Sequence, residues 1–72
     1  MSDPVIVTVT SVWGMRYDVS LADIAMVSVN PASDPDPCDV QAQFWLKSHG
    51  QPIQLDIEEG RRLRGAWLEY AR

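Results

Sequence analysis

The sequence has almost none of the residues that cross-link small proteins or hold metal ions in them. It contains one cysteine and one histidine among 72 residues. A single thiol excludes an intrachain disulfide, and no Cys/His spacing typical of a structural zinc site is present. A chain of this length buries only about 60% of the surface that its unfolded form exposes. Where its own core falls short, a partner or a second copy of the chain is the remaining source of stability.

Long apolar runs are also missing. No stretch of 18 apolar residues occurs, and the opening segment MSDPVIVTVT lacks the basic region of a signal peptide. A lone thiol suits a reducing compartment. The net charge of −4 and the pI of about 4.6 oppose binding to nucleic acid and to anionic membranes in general. These features predict a soluble, cytoplasmic protein.

Lysine is nearly absent, since Lys47 is the only one and the other five cations are arginines. One explanation is the base composition of the genome. Another is a need for planar, bidentate hydrogen-bond donors at an interface. The sequence leaves both explanations open.

What is present indicates one globular domain spanning residues 1–72. The composition is 46% hydrophobic and 22% charged, and it includes three tryptophans. Alternating, β-branched residues predict a strand over 4–12, a turn at Trp13-Gly14 and a second strand over 15–19. Ser20 and Asp23 have the spacing of a capping box, which predicts one helical turn before a third strand over 24–29.

The second half predicts a loop, a hairpin and a helix. The segment PASDPDPCD, residues 31–39, contains three prolines and three aspartates and predicts a stiff acidic loop. Alternation over 40–47 and 52–57, around a turn at 48–51, predicts a β-hairpin. The expected fold is therefore α+β: a small antiparallel sheet of about five strands with one C-terminal helix packed on it.

Helical periodicity begins near Asp56 and continues to Arg72. Asp56 and Glu59 have capping-box spacing, and an apolar stripe follows at Leu63, Ala66, Trp67 and Tyr70. The stripe predicts that Trp67 and Tyr70 belong to the core. Gly60 and Gly65 each cost about 1 kcal/mol relative to alanine inside a helix, and close approach to the sheet is one explanation.

The groups available for catalysis are few. Cys38 and His49 form the one conceivable nucleophile pair, but the acidic loop around Cys38 disfavours a thiolate. Asp34, Asp36 and Asp39 supply oxygen ligands, yet they depart from the EF-hand pattern and are expected to form a solvated loop. No phosphate-binding glycine loop is present. We expect no enzymatic activity, no cofactor and no metal.

Two surfaces are candidates for binding a protein. Trp13 lies at a turn, and Trp45 falls on a strand face otherwise made of glutamine and lysine, where a tryptophan is typical of an interface. The alternative is that the helix covers this face and that Trp45 lies in a second core. The aspartates Asp34, Asp36 and Asp39 could present carboxylates to a basic groove that normally holds phosphates.

A third candidate surface is the basic helix. Arg61, Arg62 and Arg64, near Trp67 and Tyr70, suit phosphate contacts and base stacking. An ion pair between Arg62 and Glu58, four residues earlier, would compete with this role. An uncovered edge strand could also pair with a second copy of the chain, so a homodimer is a further alternative.

Two resemblances accompany these patterns. The opening MSDPVIVTVT, followed by Tyr17-Asp18-Val19, resembles the first strands of small phage-encoded anti-CRISPR inhibitors. This resemblance implies an acidic single-domain protein that blocks a CRISPR effector by occupying its subunits. Gly14-Met-Arg-Tyr17, Ile24 and the hairpin around Gly50 are similar to small flagellar regulatory proteins of the strand–hairpin–helix type.

The sequence thus predicts a non-enzymatic protein-binding module. Its expected role is that of a phage or mobile-element inhibitor of a host defence complex, acting through an acidic and aromatic surface made by Trp13, Trp45, Asp34, Asp36 and Asp39. The alternative is a nucleic-acid-associated transcriptional or flagellar-type regulator that uses Arg61, Arg62 and Arg64.

Overall fold

A computed structural model describes residues 5–32, 36 and 38–72. The described elements are β1 (Ile6–Thr10), β2 (Arg16–Ser20), a 3₁₀ turn (Leu21–Asp23), β3 (Ile24–Val29), β4 (Ala42–Leu46), β5 (Ile53–Leu55) and α1 (Ile57–Ala71). The predicted α+β class, with antiparallel strands and a C-terminal helix, is confirmed. The predicted helical turn after β2 is also confirmed, although the side chain of Ser20 makes no capping hydrogen bond.

The five strands divide between two antiparallel sheets. β1 pairs with β2, while β3, β4 and β5 form a second sheet in that order. The 3₁₀ turn redirects the chain after β2, so β3 pairs with β4. Val12, just after β1, bonds to the second sheet through its backbone: its N–H donates to the carbonyl oxygen of Gln54 at 3.0 Å.

The core lies between the two sheets and the helix. Its fully buried side chains include Val9 from the first sheet, Phe44 and Leu55 from the second, and Leu63 from α1. Strand alternation explains these positions, because residues two apart share a face. The helix covers the face of the second sheet that carries Phe44.

The turn between β1 and β2 is rigidly organised. Gly14 adopts φ +84°, a conformation in which glycine is favoured. The Ser11 side chain is buried, and its hydroxyl oxygen accepts hydrogen bonds from Trp13 N at 3.3 Å and Met15 N at 3.2 Å. This network fixes the backbone on which Trp13 stands.

Two side chains accept hydrogen bonds from backbone N–H groups at the start of α1. The Asp56 carboxylate accepts from Glu59 N at 2.8 Å, as the capping-box spacing predicted. Gln41, which precedes β4, accepts from Ile57 N at 2.9 Å. Glu59 does not complete the capping box, because its carboxylate contacts β1 instead.

The two helix glycines have different surroundings. A Cβ at Gly60 would overlap the Cβ of Ala42, so this glycine lets α1 pack directly on β4. The predicted close approach is therefore confirmed at Gly60. A Cβ at Gly65 meets nothing within 4 Å, so the same explanation is wrong for Gly65.

Candidate functional site

The second sheet has one face turned away from the helix, which we call the outer face; it carries Met26, Ser28, Gln43, Trp45 and Gln54. Trp45 and Met26 are cross-strand partners on β4 and β3, and Met26 is 50% exposed. Trp45 is half-buried, and it is not among the residues packed against the core. The helix covers the opposite face, so the alternative of a second core under α1 is wrong for Trp45.

Trp13 stands beside the β5 end of this face. It follows Val12, whose backbone N–H bonds to Gln54 of β5. The side chain of Trp13 is 66% exposed, on a backbone held by the Ser11 hydroxyl. A large ring is thus presented to solvent by a fixed turn.

The acidic loop connects β3 to β4. Asp36 and Asp39 are exposed, and Asp36 Oδ1 accepts from Cys38 N at 3.1 Å. Asp34 lies outside the described residues. The loop enters β4 at its Ala42 end, whereas Trp45 lies near the other end of the strand. The carboxylates of the loop and the indole of Trp45 therefore occupy different parts of the molecule.

The three clustered arginines separate into two groups. Arg62 Nη2 donates to the carbonyl oxygen of Thr8 at 2.6 Å and to Glu59 Oε2 at 2.7 Å. The expected partner, Glu58, is therefore wrong: Arg62 pairs with the glutamate three residues earlier. Within the described part of the chain, neither Arg61 nor Arg64 has an acidic side chain at ion-pair distance.

The contacts with Arg62 and β1 change the pKa of Glu59. Its hydrogen bond with the Arg62 guanidinium lowers the pKa of Glu59 below its ordinary value of 4.5, against the opposing effect of partial burial. The backbone N–H of Thr10, which donates to Glu59 Oε2 at 3.4 Å, lowers the pKa further. Glu59 is therefore held in its charged form, in contact with β1.

Arg61 and Arg64 line a cleft of about 390 Å³. Gly65, Val29, Asn30 and Pro31 complete its walls, so the cleft lies between α1 and the end of β3. A second cleft, of about 270 Å³, lies where β3 ends and β4 begins, and its lining residues include Ser28 and Gln43.

Tyr70 does not join the core as the stripe predicted. It is 45% exposed and borders an apolar groove with Val5, Val7 and Ala66. Trp67 is half-buried and packs against the core, in agreement with the prediction. This groove is open to solvent, so Tyr70 stays exposed although it lies beside the first sheet.

Cys38 and His49 are not brought together. Cys38 lies in the connection before β4 and His49 in the turn after it, so the strand separates them by about 13 Å or more. Both side chains are exposed. In the described ranges, no group of three or more His, Cys, Asp or Glu side chains is placed to hold a metal ion.

Long-range contacts at the start of α1 were not predicted from the sequence. Glu59 reaches Thr10, 49 residues away, and Gln41 caps a helix that begins 16 residues later. Local spacing carries no signal for either contact. The fold supplies both, because α1 crosses the strand ends.

The comparisons with known proteins add no relative: no family model matches the chain, and neither a curated protein nor a solved structure matches it significantly. Among the described residues, no helix has the length and apolar character needed to cross a membrane.

Proposed function

We propose that this chain is a non-enzymatic protein-binding module whose primary contact surface is the outer face together with Trp13. The observation that carries the proposal is the 66% exposure of Trp13 on a turn fixed by the Ser11 hydroxyl. A rigid, exposed tryptophan loses little conformational entropy on binding, and such residues dominate interface energetics. Met26 and Trp45, cross-strand partners on β3 and β4, supply the apolar side chains of the outer face.

The proposed partner is a protein with a basic surface. Asp36 and Asp39 are exposed, and the chain carries a net charge of −4. Complementary charge speeds encounter and excludes wrong partners, while the apolar anchors supply most of the affinity. In its finer form the proposal is an inhibitor of a host defence complex that occupies a groove made for phosphates; the resemblance of the opening strands to anti-CRISPR inhibitors supports this form.

The alternative, a nucleic-acid regulator, receives less support from the geometry. Arg62 is engaged by Glu59 and Thr8, which leaves two of the three clustered arginines for phosphate contacts. Two cations on a chain of net charge −4 give only weak attraction to a polyanion.

The test begins with affinity capture from the source cell using the purified chain. Three baits are compared: wild type, Trp13→Ser and Arg16→Gln, the last removing an exposed charge on β2. The proposal predicts a protein that is retained by wild type and Arg16→Gln and lost by Trp13→Ser. Equal capture by all three baits, or capture of nucleic acid alone, contradicts it.

A second arm addresses the acidic loop. Asp34, Asp36 and Asp39 are changed together to asparagine, and the affinity for the captured partner is measured at low and high salt. Mimicry of phosphates predicts weaker binding and a smaller salt dependence in the triple variant. If the triple variant binds with the same affinity and neither protein responds to salt, the mimicry of phosphates is excluded. The proposed contact through Trp13 is not affected by that result.

A further inference from the structure

The free edge of β3 differs from the free edge of β1. On β1, Arg62 donates to the carbonyl of Thr8 and Glu59 accepts from the N–H of Thr10. These two side chains occupy backbone groups that an added strand would otherwise pair with. The β1 edge is therefore blocked by α1.

The edge of β3 has no such cover in the described part of the chain. Asn30 N donates to the Gln41 carbonyl, and hydrogen-bonded pairs alternate along an antiparallel ladder. The N–H and C=O groups of Val27 and Val29 therefore point away from β4. Among the described residues, no hydrogen-bond partner is found for these four groups.

The side of α1 next to this edge carries two arginines that form no ion pair within the described part of the chain. Arg61 and Arg64 are one turn apart and face the cleft next to Val29. Gly65, one turn after Arg61, lines the same cleft, and nothing within 4 Å would meet a Cβ there. Packing within the chain therefore does not offset the unfavourable helix propensity of Gly65. The missing side chain at this position leaves the cleft wider.

The two clefts share Val29, Asn30 and Pro31 at the end of β3. One is bounded by Arg61 and Arg64, and the other by residues of the outer face that include Gln43. Successive side chains of a strand point to opposite faces. A strand added at this edge would therefore direct every second side chain towards α1 and the cleft that Arg61 and Arg64 line. Pockets for alternate side chains are how edge-strand recognition obtains specificity.

We propose that the β3 edge binds an extended acidic peptide segment of a partner protein by β-strand addition. The backbone of the peptide pairs with Val27 and Val29, and a carboxylate enters the cleft between Arg61 and Arg64. Guanidinium groups bind carboxylates through charge-assisted, often bidentate hydrogen bonds. This site does not include Trp13, so a result that contradicts the proposed primary contact leaves this proposal unaffected, and the reverse also holds.

The experiment uses a displayed library of random peptides of about seven residues, long enough to pair along β3. It is selected on the full chain and on the double variant R61Q/R64Q. The proposal predicts enrichment of Asp or Glu at alternate positions on wild type and loss of this enrichment on the double variant. Selection of no peptide, or of the same peptides by both proteins, overturns it.

A selected peptide is then labelled, and its binding is followed by fluorescence anisotropy. R61Q/R64Q should weaken binding at least tenfold, and Gly65→Ala should weaken it while the helix stays folded. Arg16→Gln, a matched control away from the cleft, should leave it unchanged. Methylating the alternate backbone nitrogens that face β3 should abolish binding; unaltered binding of the methylated peptide excludes strand addition. Tighter binding of a single-stranded oligonucleotide than of any acidic peptide assigns the arginines to nucleic acid instead.

Discussion

The guanidinium of Arg62 lies 2.6 Å from the carbonyl oxygen of Thr8, 54 residues earlier in the chain. The same nitrogen binds Glu59, whose carboxylate also accepts from the N–H of Thr10. An ion pair on a helix thus takes the place of a neighbouring strand along β1. It joins the first sheet to α1 and closes an edge that would otherwise pair with another chain.

Replacing Arg62 with alanine tests this bridge. Arg62 is half exposed, so solvent screens its charge, and we expect a loss of about 1 kcal/mol in the free energy of unfolding. Urea denaturation of wild type, Arg62→Ala, Glu59→Gln and the double variant provides the measurement. A coupling of about 0.5 kcal/mol is expected between the two positions. Strictly additive losses would show that the residues act separately.

The lowered pKa of Glu59 predicts an acid dependence of stability. A carboxylate whose folded pKa lies below its unfolded value contributes stability above the unfolded pKa of 4.5. That contribution is lost as the pH falls through the folded pKa. The difference in unfolding free energy between wild type and Glu59→Gln should therefore be largest at neutral pH and shrink below pH 4.5. A difference that is constant across this range contradicts the assignment.

Gly60 and Gly65 form a matched pair of substitutions to alanine. Gly60→Ala should destabilise by about 1–2 kcal/mol, because the overlap with Ala42 outweighs the gain in helix propensity. Gly65→Ala should stabilise by about 0.5–1 kcal/mol, since the added methyl meets no atom. Thermal denaturation followed by circular dichroism measures both. Opposite signs are the expected result, and equal effects would mean that α1 does not pack on β4 at Gly60.

Leu63 and Tyr70 test how far the apolar stripe of α1 contributes to the core. Leu63 is fully buried, and Leu63→Ala should cost about 2–5 kcal/mol. Tyr70 is 45% exposed at the edge of an open groove, so Tyr70→Ala should cost less than about 1 kcal/mol. Urea midpoints of the two variants distinguish the positions. A large loss at Tyr70 would indicate that the end of α1 is covered.

The sequence predicted the elements well because their signals are local. Alternation along Val7 and Val9 marks a strand with one buried face, and the spacing of Asp56 and Glu59 marks the start of a helix. The division into two sheets was not predictable in this way. It depends on how the 3₁₀ turn after Ser20 redirects the chain, a property of the assembled backbone.

Long-range contacts account for the remaining differences between the sequence-based predictions and the structure. Glu58 and Glu59 are both within reach of Arg62 by helical spacing, and the contact of Glu59 with Thr10 selects between them. Periodicity placed Tyr70 on the apolar stripe, but it carries no information on which residues of the sheets cover the end of α1. The exposed ring of Trp13 was predictable in position, since a glycine follows it, while its neighbour Gln54 was not.

The central claim is that Trp13 anchors a protein partner, and the dissociation constant of that partner tests it most directly. Isothermal titration of wild type and Trp13→Ala against the captured protein should show at least about a tenfold loss of affinity, which corresponds to about 1.4 kcal/mol. The thermal midpoint should stay unchanged, because the side chain packs little within its own chain. Equal dissociation constants for the two proteins would contradict the account.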